Sequence, residues 1–150
     1  MADIKSPEER SRNMSAIRSK DTEPEVYLRK LLFSEGLRYR KNVRNLPGCP
    51  DMYLARYNTA IFVHGCYWHR HEGCKYAYEP MSRSDFWQEK FAANIKRDEV
   101  VKLKLRSKGI RQLIVWECTL KKMKKDVDKR KSAILDIVSF LNSHDDFREI

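Results

Sequence analysis

Residues 64–74 read His-Gly-Cys-Tyr-Trp-His-Arg-His-Glu-Gly-Cys and hold three of the four histidines and two of the four cysteines of this 150-residue chain. No other segment constrains the fold as tightly. Imidazole and thiol side chains at this density serve no packing need, so the loop is built to hold a metal, to face a nucleic acid, or both. Cys66, His71 and Cys74 supply soft donors at the spacing of a metal loop. Cys118 follows an apolar strand whose end can converge on the loop, which completes a set of three cysteines and one histidine. Zinc takes such a set in closed, tetrahedral structural sites. His69 is then free for other chemistry, and Cys49 is left over as a plain thiol beside Pro50.

The residues around this loop predict an α/β protein. Ser6-Pro7-Glu8-Glu9 and Thr22-Glu23-Pro24-Glu25 both carry the capping pattern that starts a helix. The second is followed by Val26, Leu28, Leu31 and Leu32 and stopped by Gly36. Strands are expected over 37–43, around Met52 and Leu54, and at Ile61-Phe62-Val63. The spacing then predicts a long helix over 82–107 with Phe86, Phe91, Ile95 and Leu103 on its apolar side. A strand over 110–116 and a helix over 126–141 burying Ile134, Ile137, Val138 and Leu141 complete the order. Such alternation favours a central mixed sheet of four to five strands flanked by helices, in a single domain.

Charge narrows the partner. Residues 96–131 carry 14 Lys/Arg against 5 Asp/Glu, in a chain of net charge +10. A basic block beside a neutral body suits a polyanion, because neutralised phosphates release counterions; a solvated helix face is the plainer reading. The start Met1-Ala2-Asp3-Ile4-Lys5 is polar and no apolar run reaches membrane-spanning length. A cytoplasmic, nucleoid-associated protein without a membrane partner is expected, with its thiols reduced.

Pro50-Asp51 sits where the chain leaves the Pro47-Gly48 turn and enters a strand, and Val63-His64 ends the next strand. Adjacent antiparallel strands would bring Asp51 to the backbone of Val63 and His64. One carboxylate with waters is the kind of site Mg²⁺ accepts, and there the cation can acidify water and stabilise a leaving oxygen. A turn aspartate capping local backbone is the alternative. With this element order the arrangement resembles the PD-(D/E)xK nuclease fold, but Phe62 stands where that motif has an acidic residue and His64 where it has lysine.

Leu46-Pro47-Gly48-Cys49-Pro50-Asp51, Ile61 through His69 and Val115-Trp116-Glu117-Cys118 together resemble the very short patch repair (Vsr) endonucleases. Ser11 through Ile17, Phe86 through Lys90 and Asn94 through Asp98 fit the same family. The resemblance implies a Mg²⁺-dependent enzyme that nicks double-stranded DNA 5′ to the thymine of a T·G mismatch left by deaminated 5-methylcytosine. It also implies that Phe-x-His replaces the acidic-x-lysine element. Asp51 and the backbone carbonyl of Val63 would bind Mg²⁺, and His69 would activate water, with Glu25, His64 and Asp98 arranged around it. Tyr67 and Trp68 would enter the DNA stack, assisted by Met14 from the other groove, while Lys90 and Asn94 would contact the mispaired bases. Residues 1–20 would form a DNA-contacting arm, 21–120 the nuclease core and 121–150 a C-terminal helix. A monomer is expected, with downstream mismatch-repair proteins as further partners. Plainer readings stand beside these: capping for Glu25, a helical salt bridge for Asp98, helix packing for Met14, a strand-end histidine for His64, an ordinary polar face for Lys90 and Asn94, and a buried unliganded thiol for Cys66 or Cys118. The alternative functions are a related PD-(D/E)xK endonuclease that cuts matched DNA and a catalytically silent zinc-bearing DNA-binding module. Arg70, Glu72 and Gly73 depart from the family's histidine-rich run, and Cys49 from its basic residue.

Overall fold

A computed structural model describes residues 21–150. The helix start expected at Ser6 and the expected DNA contact Met14 lie outside the described residues.

Helix α1 (Glu23–Ser34) begins where the sequence placed a capping box: Glu25 Oε2 accepts from the Thr22 N–H at 3.0 Å. It ends in a Schellman motif. Gly36, at φ +85°, lets its own N–H reach the Phe33 carbonyl and the Leu37 N–H reach the Leu32 carbonyl. Strand β1 (Arg40–Lys41) is shorter than the expected 37–43, because Asn42 turns left-handed at φ +50°. Strand β2 (Met52–Leu54) is followed by a 3₁₀ turn over Ala55–Tyr57 and by strand β3 (Thr59–His64). Helix α2 (Ser84–Ser107) crosses over to strand β4 (Arg111–Trp116). Helix α3 (Glu117–Lys125), helix α4 (Val127–Leu141) and strand β5 (Phe147–Glu149) complete the fold.

The five strands form one mixed sheet in the order β1-β2-β3-β4-β5. The β1/β2 and β2/β3 pairs are antiparallel, and β3/β4 and β4/β5 are parallel. Successive side chains of β3 and β4 point to opposite faces and so split the core. Ile61, Leu113 and Val115 pack with Leu28 and Leu32 of α1, Leu120 and Met123 of α3, and Ile137 and Phe140 of α4. Ala60, Phe62, Ile114 and Trp116 pack with Val101 and Leu105 of α2 and with Cys66 and Cys118.

Three further elements differ from the sequence expectation. Helix α3 hides in a lysine-rich run because Leu120 and Met123 anchor its one buried side. Strand β5 is a short addition parallel to β4 in an acidic, polar tail. In α2, Phe86, Ile95 and Leu103 are exposed. The covered stripe is instead Trp87, Phe91, Asn94, Asp98, Val101 and Leu105, at steps of three and four residues. Two of its members are polar because they face the site described next.

Candidate active site and metal centre

The pairing of Met52 with Ile61 puts Asp51 just outside the antiparallel β2/β3 ladder, where its Oδ2 accepts from the Val63 N–H at 2.6 Å. The first turn of α1 delivers Glu25 to the same place. Burial pushes the Asp51 carboxyl up to about 7 and the neighbouring Glu25 carboxyl adds to the push, against the Val63 N–H and Arg29. Arg29, itself buried, donates to Asp21 at 2.7 Å, to Asn42 at 3.2 Å and to Glu25 at 3.4 Å. A buried and a half-buried carboxyl at such close quarters repel each other once ionised, a conflict that a bound cation removes. The acidic pair therefore fits a hard divalent ion.

Opposite this pair stand two histidines. His69 Nδ1 lies 2.8 Å from Asp98 Oδ2, and the His64 ring stacks on the His69 ring with centroids 3.8 Å apart. Burial, with His69 beside it, drives the His64 imidazole down to about 3, so it stays neutral. Glu25, Asp51, Val63, His64, His69 and Asp98 line one cleft of about 330 Å³. Every residue expected at the reaction centre is thus brought together.

A second cluster lies behind the histidines. Cys66, His71, Cys74 and Cys118 each turn a donor atom to one point, all within 4.8 Å of one another. Left-handed turns at Arg70 and Gly73 fold the loop back to make this possible. Cys118 opens α3, and its N–H donates to Cys66 Sγ at 3.4 Å. His71 stacks on Trp116 with centroids 4.1 Å apart, which fixes its ring. Burial pushes the Cys66 thiol up to about 12. Three sulfurs and one imidazole converging in a half-buried pocket form a closed donor set that fits a metal ion. Cys49 is exposed and outside this group.

Beyond the cluster the rings gather on α2. Trp68 is 38% exposed. Tyr67 is not: it is held edge-on among Trp68, Trp87 and Phe91 at 5.2, 6.0 and 5.2 Å. An extended loop would throw Tyr67 into solvent, but edge-to-face packing against α2 holds it in. Lys90 sits 5.4 Å over the Trp68 ring, and Asn94 Nδ2 donates to the Trp68 carbonyl at 3.1 Å. Sequence reading gave no role to Arg29 or Trp87. The i,i+4 spacing of Glu25 and Arg29 was a usable signal; nothing local singled out Trp87 from other aromatics.

An acidic pair facing a histidine–aspartate pair across one cleft, at the end of a mixed α/β sheet, is the equipment of an endonuclease. A family model described as DNA mismatch endonuclease Vsr matches residues 2–75. A type II nicking enzyme of Neisseria meningitidis serogroup A is 45% identical over 121 residues, covering 81% of this chain and 86% of that protein. One from Xanthomonas oryzae pv. oryzae is 43% identical over 120 residues, 80% and 88% of the two chains. The DNA mismatch endonuclease Vsr of Escherichia coli K12 is 42% identical over 129 residues, 86% and 82% of the two. The chain belongs to the Vsr family of DNA mismatch endonucleases.

Proposed function

We propose that this protein is a DNA mismatch endonuclease of PD-(D/E)xK type that nicks one strand 5′ to the thymine of a T·G mismatch. The observation that carries the reading is the single cleft shared by Asp51, Glu25, His64, His69 and Asp98. Asp51 and the Val63 carbonyl would hold Mg²⁺, which when bound supplies positive charge at the scissile phosphate. With Nδ1–H donated to Asp98, the other ring nitrogen of His69 is the one free to take a proton from water. Asp98 orients that ring and steadies the imidazolium that forms. Neutral His64, stacked flat beneath, limits rotation of His69 without adding charge.

Zinc on Cys66, His71, Cys74 and Cys118 is structural in this reading, since four protein donors leave no open position. It ties the loop carrying His69 to the start of α3. Trp68, and Tyr67 once it leaves its packing against α2, would enter the stack beside the mismatch, Lys90 and Asn94 would read the mispaired bases, and residues 1–20 with Met14 would approach from the other groove. Inserting an aromatic wedge costs about a few kcal/mol of unstacking, least at a mismatch, and this favours the T·G site.

The test is a nicking assay with purified protein, Mg²⁺ and duplexes carrying T·G or fully paired 5-methylcytosine sites. Cutting confined to the T·G strand is expected. Equal cutting of paired DNA would point to a nicking enzyme for matched sites. Binding without cutting would leave only a DNA-binding module. Asp51→Ala should abolish nicking and keep binding; nicking that persists would place the reaction centre elsewhere.

A further inference from the structure

Residues 75–83 connect the metal loop to α2 and have no part in the reading above. One side chain fixes their path. Arg70, with a left-handed backbone at φ +53°, donates from Nη1 to the carbonyls of Tyr67 and Tyr78, both at 3.2 Å. From Nη2 it donates to the Ala77 carbonyl at 2.9 Å and to Glu79 Oε1 at 3.1 Å. Its guanidinium lies 4.0 Å over the Phe91 ring of α2. Glu79 in turn accepts from Gln88 of α2. A planar fork that binds three carbonyls and covers a ring is work lysine cannot do.

The clamp brings the Tyr78 ring to 5.0 Å from Tyr67, yet leaves Tyr78 63% exposed. Phe86 of α2 is 44% exposed. Through Tyr67 and Trp87 the rings of Tyr78 and Phe86 connect to Trp68. A contiguous apolar surface of this kind marks a contact site, whereas a lone exposed ring does not. Cations border it: Arg83 sits 4.4 Å over Phe86, and Lys90 over Trp68. Ring faces interleaved with cations match a partner that offers flat bases on a phosphate backbone. We infer that Tyr78 is a further DNA-contacting aromatic beside Tyr67 and Trp68, set against base faces left unstacked beside the mismatch, and that Arg70 is the positioning residue that holds it there. This rests on the assignment of Tyr67 and Trp68 to DNA.

Equilibrium binding to a T·G duplex tests it with Tyr78→Ala, Tyr78→Phe, Arg70→Ala, the Tyr78/Arg70 double alanine variant and Trp68→Ala. Tyr78→Ala should weaken binding about tenfold, as loss of one stacked base contact does, and Tyr78→Phe should restore it. Arg70→Ala should weaken it similarly, with the double variant no worse than Tyr78→Ala alone. Arg70→Ala should leave the salt dependence of binding unchanged, because a guanidinium occupied by carbonyls meets no phosphate. Wild-type affinity in Tyr78→Ala, with a loss in Trp68→Ala, overturns the proposal and spares the assignment it rests on. Wild-type affinity in both removes that assignment too. Additive losses, or a salt slope reduced by about one, would make Arg70 a phosphate contact and end its positioning role. If Arg70→Ala does not fold, the exposed Tyr78 pair still decides whether the further contact exists.

Discussion

Asp98 has Lys96, Arg97 and Lys102 as near neighbours in sequence, yet its carboxylate meets the His69 ring at 2.8 Å. A helical salt bridge would also explain Asp98 from the sequence, and the crossover of α2 over the sheet takes it to His69 instead. Asp98→Asn keeps the shape but not the charge that steadies a protonated His69. Single-turnover nicking should fall about 10²-fold with mismatch affinity retained; an undiminished rate would remove Asp98 from this role. Glu25 shows two uses at once: it caps Thr22 and pairs with Asp51. Gly48 is demanded by closeness as well as by its φ of +75°, since a Cβ there would lie 2.6 Å from Val101 Cγ1 and 3.0 Å from Phe62 Cε1. This explains the aromatic at position 62, which closes the gap between the Pro47-Gly48 turn and α2. Gly48→Ala should lower stability by about 1–3 kcal/mol in urea unfolding, and Val101→Ala in that background should recover part of the loss. No loss at all would mean the turn moves freely.

At the scale of elements, α2 explains why apolar periodicity misled. Its inward stripe spends Asn94 on the Trp68 carbonyl and Asp98 on His69, so the apolar residues no longer mark the buried side. Sequence patterns report burial; a helix that carries a site is partly buried through polar residues. Helix α3 follows β4 without a loop, and that abrupt turn is what points Cys118 at Cys66 and His71. The cysteine–histidine set was legible from donor chemistry, because few folds use such a group for anything else. Cys118→Ala should release the metal, measured by elemental content, and lower the thermal midpoint by several degrees. Metal content equal to wild type would break the ligand assignment.

For the whole molecule, charge and architecture act together. The net charge of +10 predicts that affinity for matched and mismatched duplexes falls in parallel as salt rises, because phosphate contacts carry no base information. A log–log plot flat in salt for both duplexes would refute an electrostatic footprint. Among the described residues no helix is long and apolar enough to cross a membrane. The sequence by itself determined the α/β class, the grouping of three cysteines with one histidine, and the family, since each rests on unusual residues at fixed spacing. Only the tertiary structure decided how Glu25, Asp51, His64, His69 and Asp98 share one cleft. The reason is that α1, β2, β3, the loop and α2 meet there through sheet register and helix crossover, which no local pattern encodes. It also decided that Arg70, a mere irregularity in the string of histidines, is the clamp on which the loop's outer surface hangs.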